Sequence, residues 1–226
     1  MLSTSGMSAG SGKIKPVIDA GNQELKINSI TLNAPPYDQK AYDLVLNVES
    51  RPIDGEFEGF LIDVNNLNGP RYKGQVGRVK FSRYAFNDAT LPSGREVKRD
   101  DGILKALITL SEAQGKRSQI DNIQASTIED FVSKANVILC DSLFYNFCVA
   151  GREWENKEGY TNLDMYLPKF TSKSIPFESL DLENSKLTVF NKDEHIIAIK
   201  KTTNNSINSF EPVSNQGINS ENDFDL

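Results

Sequence analysis

Histidine and cysteine are scarce in this chain of 226 residues, which contains one histidine and two cysteines. Structural zinc sites usually take four ligands from these residue types, so most zinc sites are excluded. A Ser-His-Asp triad would depend on His195, which no partner pattern accompanies and which we interpret as an ordinary strand-end residue. Two cysteines are also too few for a disulfide-rich secreted scaffold. We expect no metal, no cofactor, no enzymatic activity and a reducing compartment.

Long apolar runs are absent as well. No stretch reaches the ~18 consecutive apolar residues of a membrane-spanning helix. Met1–Gly12 is small and polar, without the basic start and apolar segment of a signal peptide. These absences predict a cytoplasmic protein that does not associate with membranes.

The charge is distributed unevenly along the chain. The 25 basic and 31 acidic residues give a net charge of −6, which argues against a polyanion ligand. Thr202–Leu226, however, contains four of the acidic residues and no Lys or Arg, so the remainder has 27 acidic residues against 25 basic ones and a charge of −2. We predict a disordered lead at 1–12, one folded domain at 13–201 and a disordered acidic tail at 202–226.

Short apolar runs rich in β-branched residues predict a mainly β fold. Gly74–Phe86 contains two glycines, which is typical of a bent or bulged strand. A loop that ends at Gly159 indicates a hairpin. The predicted strands are Leu25–Leu32, Ala41–Val48, Glu56–Val64, Gly74–Phe86, the hairpin of Leu143–Trp154 with Tyr160–Leu167, and a last pair at Lys186–Phe190 and His195–Lys200.

Two helices are predicted between these strands, at about residues 100–136. Asp100 or Asp101 can cap the first, which should end near Gly115. A capping box of Ser126 and Glu129 begins the second. This order of elements predicts an OB-like antiparallel β-barrel with a two-helix insertion. A β-sandwich with an inserted helical hairpin would produce the same pattern.

The segment Gly69–Arg99 combines positive charge with aromatic rings, since it holds eight basic residues and only two acidic ones. Strand alternation should place Arg78, Lys80 and Tyr84 on one face, opposite Val79. Such a face can contact phosphates and stack on unpaired bases, although an ordinary solvated strand face would look the same. The candidate nucleic-acid contacts are Arg71, Tyr72, Lys73, Arg78, Lys80, Arg83 and Tyr84.

The predicted hairpin offers a second set of candidates. Alternation should turn Tyr160, Asn162, Asp164 and Tyr166 outward and Leu163, Met165 and Leu167 inward, while Arg152 and Trp154 share a face. Large aromatic residues also pack in partly buried positions, so a structural role stays open. The candidate contacts here are Arg152, Trp154, Lys157, Tyr160 and Tyr166.

The sequence contains the strings EFEGFLIDVNN, GPRYKGQVGRVKFSRYAF, SGREVKRDDGILKAL and REWENKEGYTNLDMYLPKF. These strings resemble a group of tailed-bacteriophage proteins described as single-stranded-DNA-binding proteins with an OB-type core, and the similarity runs from about Phe57 to Phe177. The resemblance implies sequence-tolerant binding of single strands during phage DNA replication or recombination, without catalysis and in the cytoplasm of a bacterial host.

The C-terminal tip resembles the acidic, aromatic-bearing tips of replicative single-strand binders, although it ends in Leu and lacks a Pro-Phe pair. The resemblance implies recruitment of replication or recombination proteins by Asp223, Phe224, Asp225 and Leu226. Two other interpretations stay open. One is a structural or virion-associated β protein that uses its Tyr/Arg surface as a protein interface. The other is an accessory recombination protein that anneals strands.

Overall fold

The computed structural model describes residues 18–52, 54, 60–61, 68–69, 71–180 and 182–199. The predicted lead and the predicted tail, with its candidates Asp223, Phe224, Asp225 and Leu226, lie outside the described residues. The described strands are β1 (Gly21–Asn33), β2 (Asp43–Ser50), β3 (Phe60–Leu61), β4 (Arg71–Tyr72), β5 (Val76–Lys80), β6 (Ala89–Thr90), β7 (Glu96–Val97), β8 (Tyr145–Glu155), β9 (Thr161–Tyr166), β10 (Phe177–Ser179) and β11 (Ile196–Ile197). The described helices are α1 (Arg99–Ala113), α2 (Arg117–Asp121), α3 (Ile128–Leu139) and α4 (Lys192–His195).

Five of these strands form a closed barrel. Neighbours pair in the order β1, β2, β5, β9 and β8, and the pairing of β8 with β1 closes the ring. This mainly β barrel with helices inserted between β7 and β8 confirms the predicted fold class, and its strand order is consistent with an OB-like fold.

One pairing differs from the predicted antiparallel barrel, because β5 and β9 run parallel, with Lys80 opposite Tyr166. Parallel neighbours need a long connection between them. Here that connection contains the helices and β8, so β9 returns beside β5 in the same direction. The other four barrel pairings are antiparallel.

A bulge in β1 fits this long strand to the core. The register shifts between Ile27 and Ser29, so Leu25, Ile27 and Ile30 are all buried in the barrel. The bulge also turns the Ile30 amide towards α3, where it donates to the Asn136 side-chain oxygen at 2.6 Å. A buried backbone amide needs such a partner, and this one ties the helical insertion to the barrel.

The helical insertion covers one side of the barrel with an apolar stripe. In α1, Ile103, Leu107 and Leu110 are fully buried, the first two at the predicted spacing, and the chain leaves the helix through Gly115 at φ +67°. No side chain caps α1, so the predicted Asp100 or Asp101 cap is wrong: both lie in the first turn, after the N-cap position. None of the helices in the described ranges is long and apolar enough to cross a membrane.

Two further local predictions need correction. Thr127, one residue after Ser126, caps α3 by accepting a hydrogen bond from the Asp130 amide. The predicted last strand pair does not form, because Asn191 caps the short helix α4 and β11 then pairs with β8. Of the predicted strand Glu56–Val64, only β3 lies within the described residues.

Candidate nucleic-acid interface

Strand β5 forms the centre of a cationic surface on the outside of the barrel. Val79 points into the core and is fully buried, whereas Arg78 and Lys80 point the other way. Strand register continues this surface sideways, because Lys80 lies opposite Val45 on β2 and opposite Tyr166 on β9. The predicted alternation for Arg78 and Lys80 is therefore confirmed.

The β8–β9 hairpin extends this surface beyond the barrel. Arg152 lies opposite Asp164, and Trp154 lies opposite Asn162, so these side chains share one face. Beyond Ala150, which lies at the barrel wall, β8 continues for five residues, a span of about 17 Å at roughly 3.3 Å per residue. Because it projects, the hairpin exposes both faces, and Leu163, predicted to point inward, is 38% exposed.

The turn of this hairpin places two candidates at its tip. Asn156 accepts backbone hydrogen bonds from Glu158 and Tyr160, and Gly159 supplies the positive φ, +82°, that closes the turn. Lys157 is exposed at the tip, and Tyr160 is 66% exposed. The tip therefore offers a cation and a ring to a ligand that lies along the hairpin.

Lys80 is paired within the protein. Its ammonium group lies 3.1 Å from an Asp43 oxygen and 3.4 Å from an Asp164 oxygen. Burial lowers the pKa of Lys80, but the hydrogen bonds and charges of the two aspartates outweigh it, so the pKa is raised. Asp43 was not among the sequence candidates, although an acid inside an apolar strand indicates a buried cationic partner.

Trp154 stands at the edge of the same network. Its indole Nε1 donates to the other oxygen of Asp164 at 3.0 Å, and the residue is 43% exposed. The indole is therefore fixed along one edge while part of its surface stays accessible to a ligand.

Arg83 and Tyr84 follow β5, where the chain bends instead of continuing as the predicted strand. The Arg83 guanidinium lies over the Tyr84 ring at 4.9 Å, and Tyr84 is 63% exposed. Burial raises the pKa of Tyr166, and the positive charges of Arg83 and Arg152 oppose this rise.

Tyr166 itself requires a correction. Alternation puts it on the same side of β9 as Asp164, as predicted, but the residue is only 8% exposed. It lines a cavity of about 500 Å³ with Pro168, Thr188 and His195, from the segments that follow β9. Tyr166 is therefore a packing residue beneath the surface and not an exposed stacking platform.

A groove of about 750 Å³ runs between the β1–β2 loop and β9. Pro35 and Pro36 form one wall, Leu163 and Asp164 the other, and Lys80 lies between them. Tyr37, in the same loop, is 79% exposed and was missed by the sequence reasoning, although a tyrosine after a Pro-Pro pair is typical of an exposed loop. We call the outward side of β5, β9 and β8 together with this groove, residues 83–84 after β5 and the hairpin tip at residues 156–160 the groove face.

The other three candidates lie at the opposite end of β5. Arg71 is exposed on β4, and Lys73 follows it half-buried. Tyr72 is half-buried and donates its hydroxyl to the Ser50 carbonyl at the end of β2. This end of β5 lies four positions before Lys80, a distance of about 13 Å along the strand. The structure does not bring these three residues into the Lys80 network.

Four cations of the groove face lack internal compensation. Arg78, Arg83, Arg152 and Lys157 form no ion pair with any residue of the described part of the chain. With the Asn33 amide turned so that its oxygen faces Arg78, this arginine donates to it, a neutral partner. These positive charges are therefore available to an anionic ligand.

The remaining chemical candidates form no second site. Burial raises the pKa of both Cys140 and Cys148 to about 11, so neither is a reactive thiolate. His195 accepts the Asn191 amide hydrogen at Nδ1. Among the described residues, no cluster of His, Cys, Asp and Glu could hold a metal ion. No protein-family model, no curated protein and no solved structure matches this chain, so its function is inferred from the site itself.

Proposed function

We propose that this protein binds single-stranded DNA along the groove face, largely without sequence preference. One observation carries the proposal: the uncompensated arginines Arg78, Arg83 and Arg152 share a surface with the exposed rings of Tyr84 and Trp154. Guanidinium groups contact phosphates in any sequence, and every base has a face that can stack on a ring. No step in this function needs a catalytic group.

The arrangement favours a single strand over a duplex. Stacking on Trp154 or Tyr84 requires a base that is not paired inside a helix. OB-like barrels hold oligonucleotides on their second and third strands, which are β2 and β5 here, between the loops that border them. Here the β1–β2 loop and the β8–β9 hairpin border the groove, and Lys157 and Tyr160 at the hairpin tip would extend the contact.

The biological setting belongs to this proposal as well. The resemblance to phage single-strand binders supports a role in DNA replication or recombination. The tip residues Asp223, Phe224, Asp225 and Leu226 would recruit partner proteins there. Arg71, Tyr72 and Lys73 stay predicted contacts at the far end of β5.

Equilibrium titration of a labelled oligo-dT over a series of salt concentrations tests the proposal. Four phosphate contacts, from Arg78, Arg83, Arg152 and Lys157, should give a slope of log affinity against log salt of about −3, at roughly −0.7 per contact. An unlabelled single strand should compete far better than a duplex of equal length. An affinity that does not change with salt concentration, or equal competition by the duplex, would contradict the proposal. Absence of binding would favour the protein-interface interpretation.

A further inference from the structure

Four neighbouring strands each contribute one residue to a continuous chain of polar contacts across the groove face. Asp43 on β2 pairs with Lys80 on β5, Lys80 pairs with Asp164 on β9, and Asp164 accepts the indole hydrogen of Trp154 on β8. The Lys80 ammonium therefore lies between two carboxylates, and Asp164 lies between the ammonium and the indole.

The two oxygens of Asp164 are divided between these partners. Oδ1 accepts from Trp154 Nε1 at 3.0 Å, and Oδ2 lies 3.4 Å from Lys80 Nζ. Asp164 is not directly opposite Trp154 in the hairpin, because that position belongs to Asn162. The indole reaches its partner diagonally, which long side chains on paired strands can do. It consequently leans towards the barrel wall and the groove, away from the hairpin tip.

We infer that Asp164 is a positioning residue: it holds the Trp154 indole towards the edge of the groove that Asp164 lines, and it keeps Lys80 paired before any DNA arrives. This inference rests on the proposed function. A ring already held in its binding orientation loses less side-chain freedom when a base stacks on it, which improves affinity. Because Lys80 stays paired with Asp164, the phosphates are contacted by Arg78, Arg83 and Arg152.

Two substitutions separate the hydrogen-bond acceptor of Asp164 from its charge. Asp164→Asn retains an oxygen that can accept from the indole, whereas Asp164→Ala has none, and both remove the charge that pairs with Lys80. The difference in affinity between these two variants therefore measures the contribution of the acceptor oxygen. Since one hydrogen bond contributes about 0.5–1.5 kcal/mol, the Ala variant should bind oligo-dT about two- to tenfold more weakly than the Asn variant.

A double-mutant cycle links this difference to Trp154. Trp154→Phe keeps a stacking ring but has no N–H group, so in this background the Asn and Ala variants at position 164 should bind equally. Glu155 provides the matched control, because it is exposed next to Trp154 on the other hairpin face. Glu155→Gln and Glu155→Ala should bind alike in both backgrounds. A difference at position 164 that persists without the indole would overturn the inference.

The fluorescence of the protein without DNA supplies an independent measurement, because Trp154 is the only tryptophan in the chain. The Asn variant should retain the emission maximum, the anisotropy and the acrylamide quenching of the wild type. The Ala variant should show a more mobile and more accessible indole. If it does not fold, Asp164→Val replaces it, since valine suits a strand and carries no acceptor.

The two measurements distinguish the inference from the proposed function. If no variant binds DNA but the fluorescence differs as expected, the proposed function fails and the positioning of Trp154 by Asp164 stands. If the wild type binds DNA while the Asn and Ala variants agree in affinity and in fluorescence, the positioning role is contradicted and the proposed function stands.

Discussion

The helical side of the molecule, formed by α1, α2, α3 and the segments that join them, differs from the groove face in how its positive charges are compensated. On the helical side, Lys116 pairs with Asp141, Arg117 with Glu112 and Asp121, and Lys134 with Asp130, whereas Lys105 of α1 pairs with no acid in the described part of the chain. On the groove face, the cations that pair with no acid in the described ranges are Arg78, Arg83, Arg152 and Lys157.

The exposed rings follow the same division. Among the described residues, the large aromatic side chains classed as exposed are Tyr37, Tyr84, Trp154 and Tyr160, and all of them lie on the groove face or in the loop beside it. The large apolar side chains exposed on the helical side are aliphatic, such as Val137. The comparison teaches that net charge is a poor guide to the ligand, because local compensation decides which cations can meet phosphates.

The largest effect should come from removing the arginines of the groove face together. Arg78→Gln, Arg83→Gln and Arg152→Gln in one protein should reduce the magnitude of the salt slope by about 2, at roughly 0.7 per lost phosphate contact, and abolish most binding at physiological salt. Titration of labelled oligo-dT at several salt concentrations measures both quantities.

A charge-matched variant on the helical side sharpens this test. Lys105→Gln, Arg117→Gln and Lys134→Gln also remove three positive charges, from α1, α2 and α3. This variant should keep the wild-type salt slope, since these residues contact no phosphate in the proposed complex. Equal losses in the two triple variants would show that overall charge, and not the groove face, determines binding.

The second effect concerns stacking. Trp154→Ala should weaken oligo-dT binding by about 1–3 kcal/mol without lowering the temperature of unfolding, because the ring is partly exposed on a projecting hairpin. In the wild type, oligo-dT should quench the Trp154 fluorescence. A variant that unfolds would identify Trp154 as a core residue, and absent quenching at saturation would remove it from the site.

The third effect concerns stability on the helical side. Lys116 donates to the Ile138 carbonyl at 2.8 Å and to Asp141 at 2.5 Å, and its side chain is 17% exposed. Lys116→Met should therefore lower the free energy of unfolding by about 1–3 kcal/mol, because buried acceptors lose their donor. Denaturant unfolding measures this loss, and DNA binding by the folded protein should not change.

The same variant should alter the response to acid. Burial raises the pKa of Asp141, but hydrogen bonds from Lys116 and Tyr145 outweigh it and the pKa is lowered. A carboxyl with a lowered pKa in the folded state stabilises the fold above its unfolded pKa, and this contribution is lost as pH falls through the folded pKa. Below about pH 4, the wild type should therefore lose stability more steeply than Lys116→Met. Parallel curves would contradict this coupling.

The smallest effect should come from the acidic tip. Deleting Asn219–Leu226 removes Glu221, Asp223 and Asp225, negative charges that can compete with phosphate for the groove face. Single-strand binding should tighten slightly, most visibly at low salt, where charges are least screened. Association with a polymerase, helicase or recombinase of the same system should be lost. Unchanged affinity together with retained partners would assign the tip no role.

Local patterns in the sequence predict much of this fold. The burial of Val79 opposite Arg78 follows from alternation within β5, and the buried stripe of α1 follows from helical periodicity. The hairpin around Gly159 follows from its turn residues. Each of these features depends on neighbours within a few positions along the chain.

Features that depend on distant segments were not predictable in this way. The pairing of Lys80 with Asp43 and Asp164 requires strands that are 37 and 84 positions away to meet at β5. The burial of Tyr166 depends on segments that return over β9 after residue 167. Alternation gives the side of a strand on which a residue lies, but another segment decides whether that side stays exposed.

Hydrogen–deuterium exchange of the full chain, with and without saturating oligo-dT, compares the two regions most directly. Bound DNA should slow exchange in 76–84 and 152–166, which carry the groove-face cations and rings, and leave α1, α2 and α3 unchanged. Slower exchange in the helices, or no change along β5 and the β8–β9 hairpin at saturation, would contradict binding at the groove face.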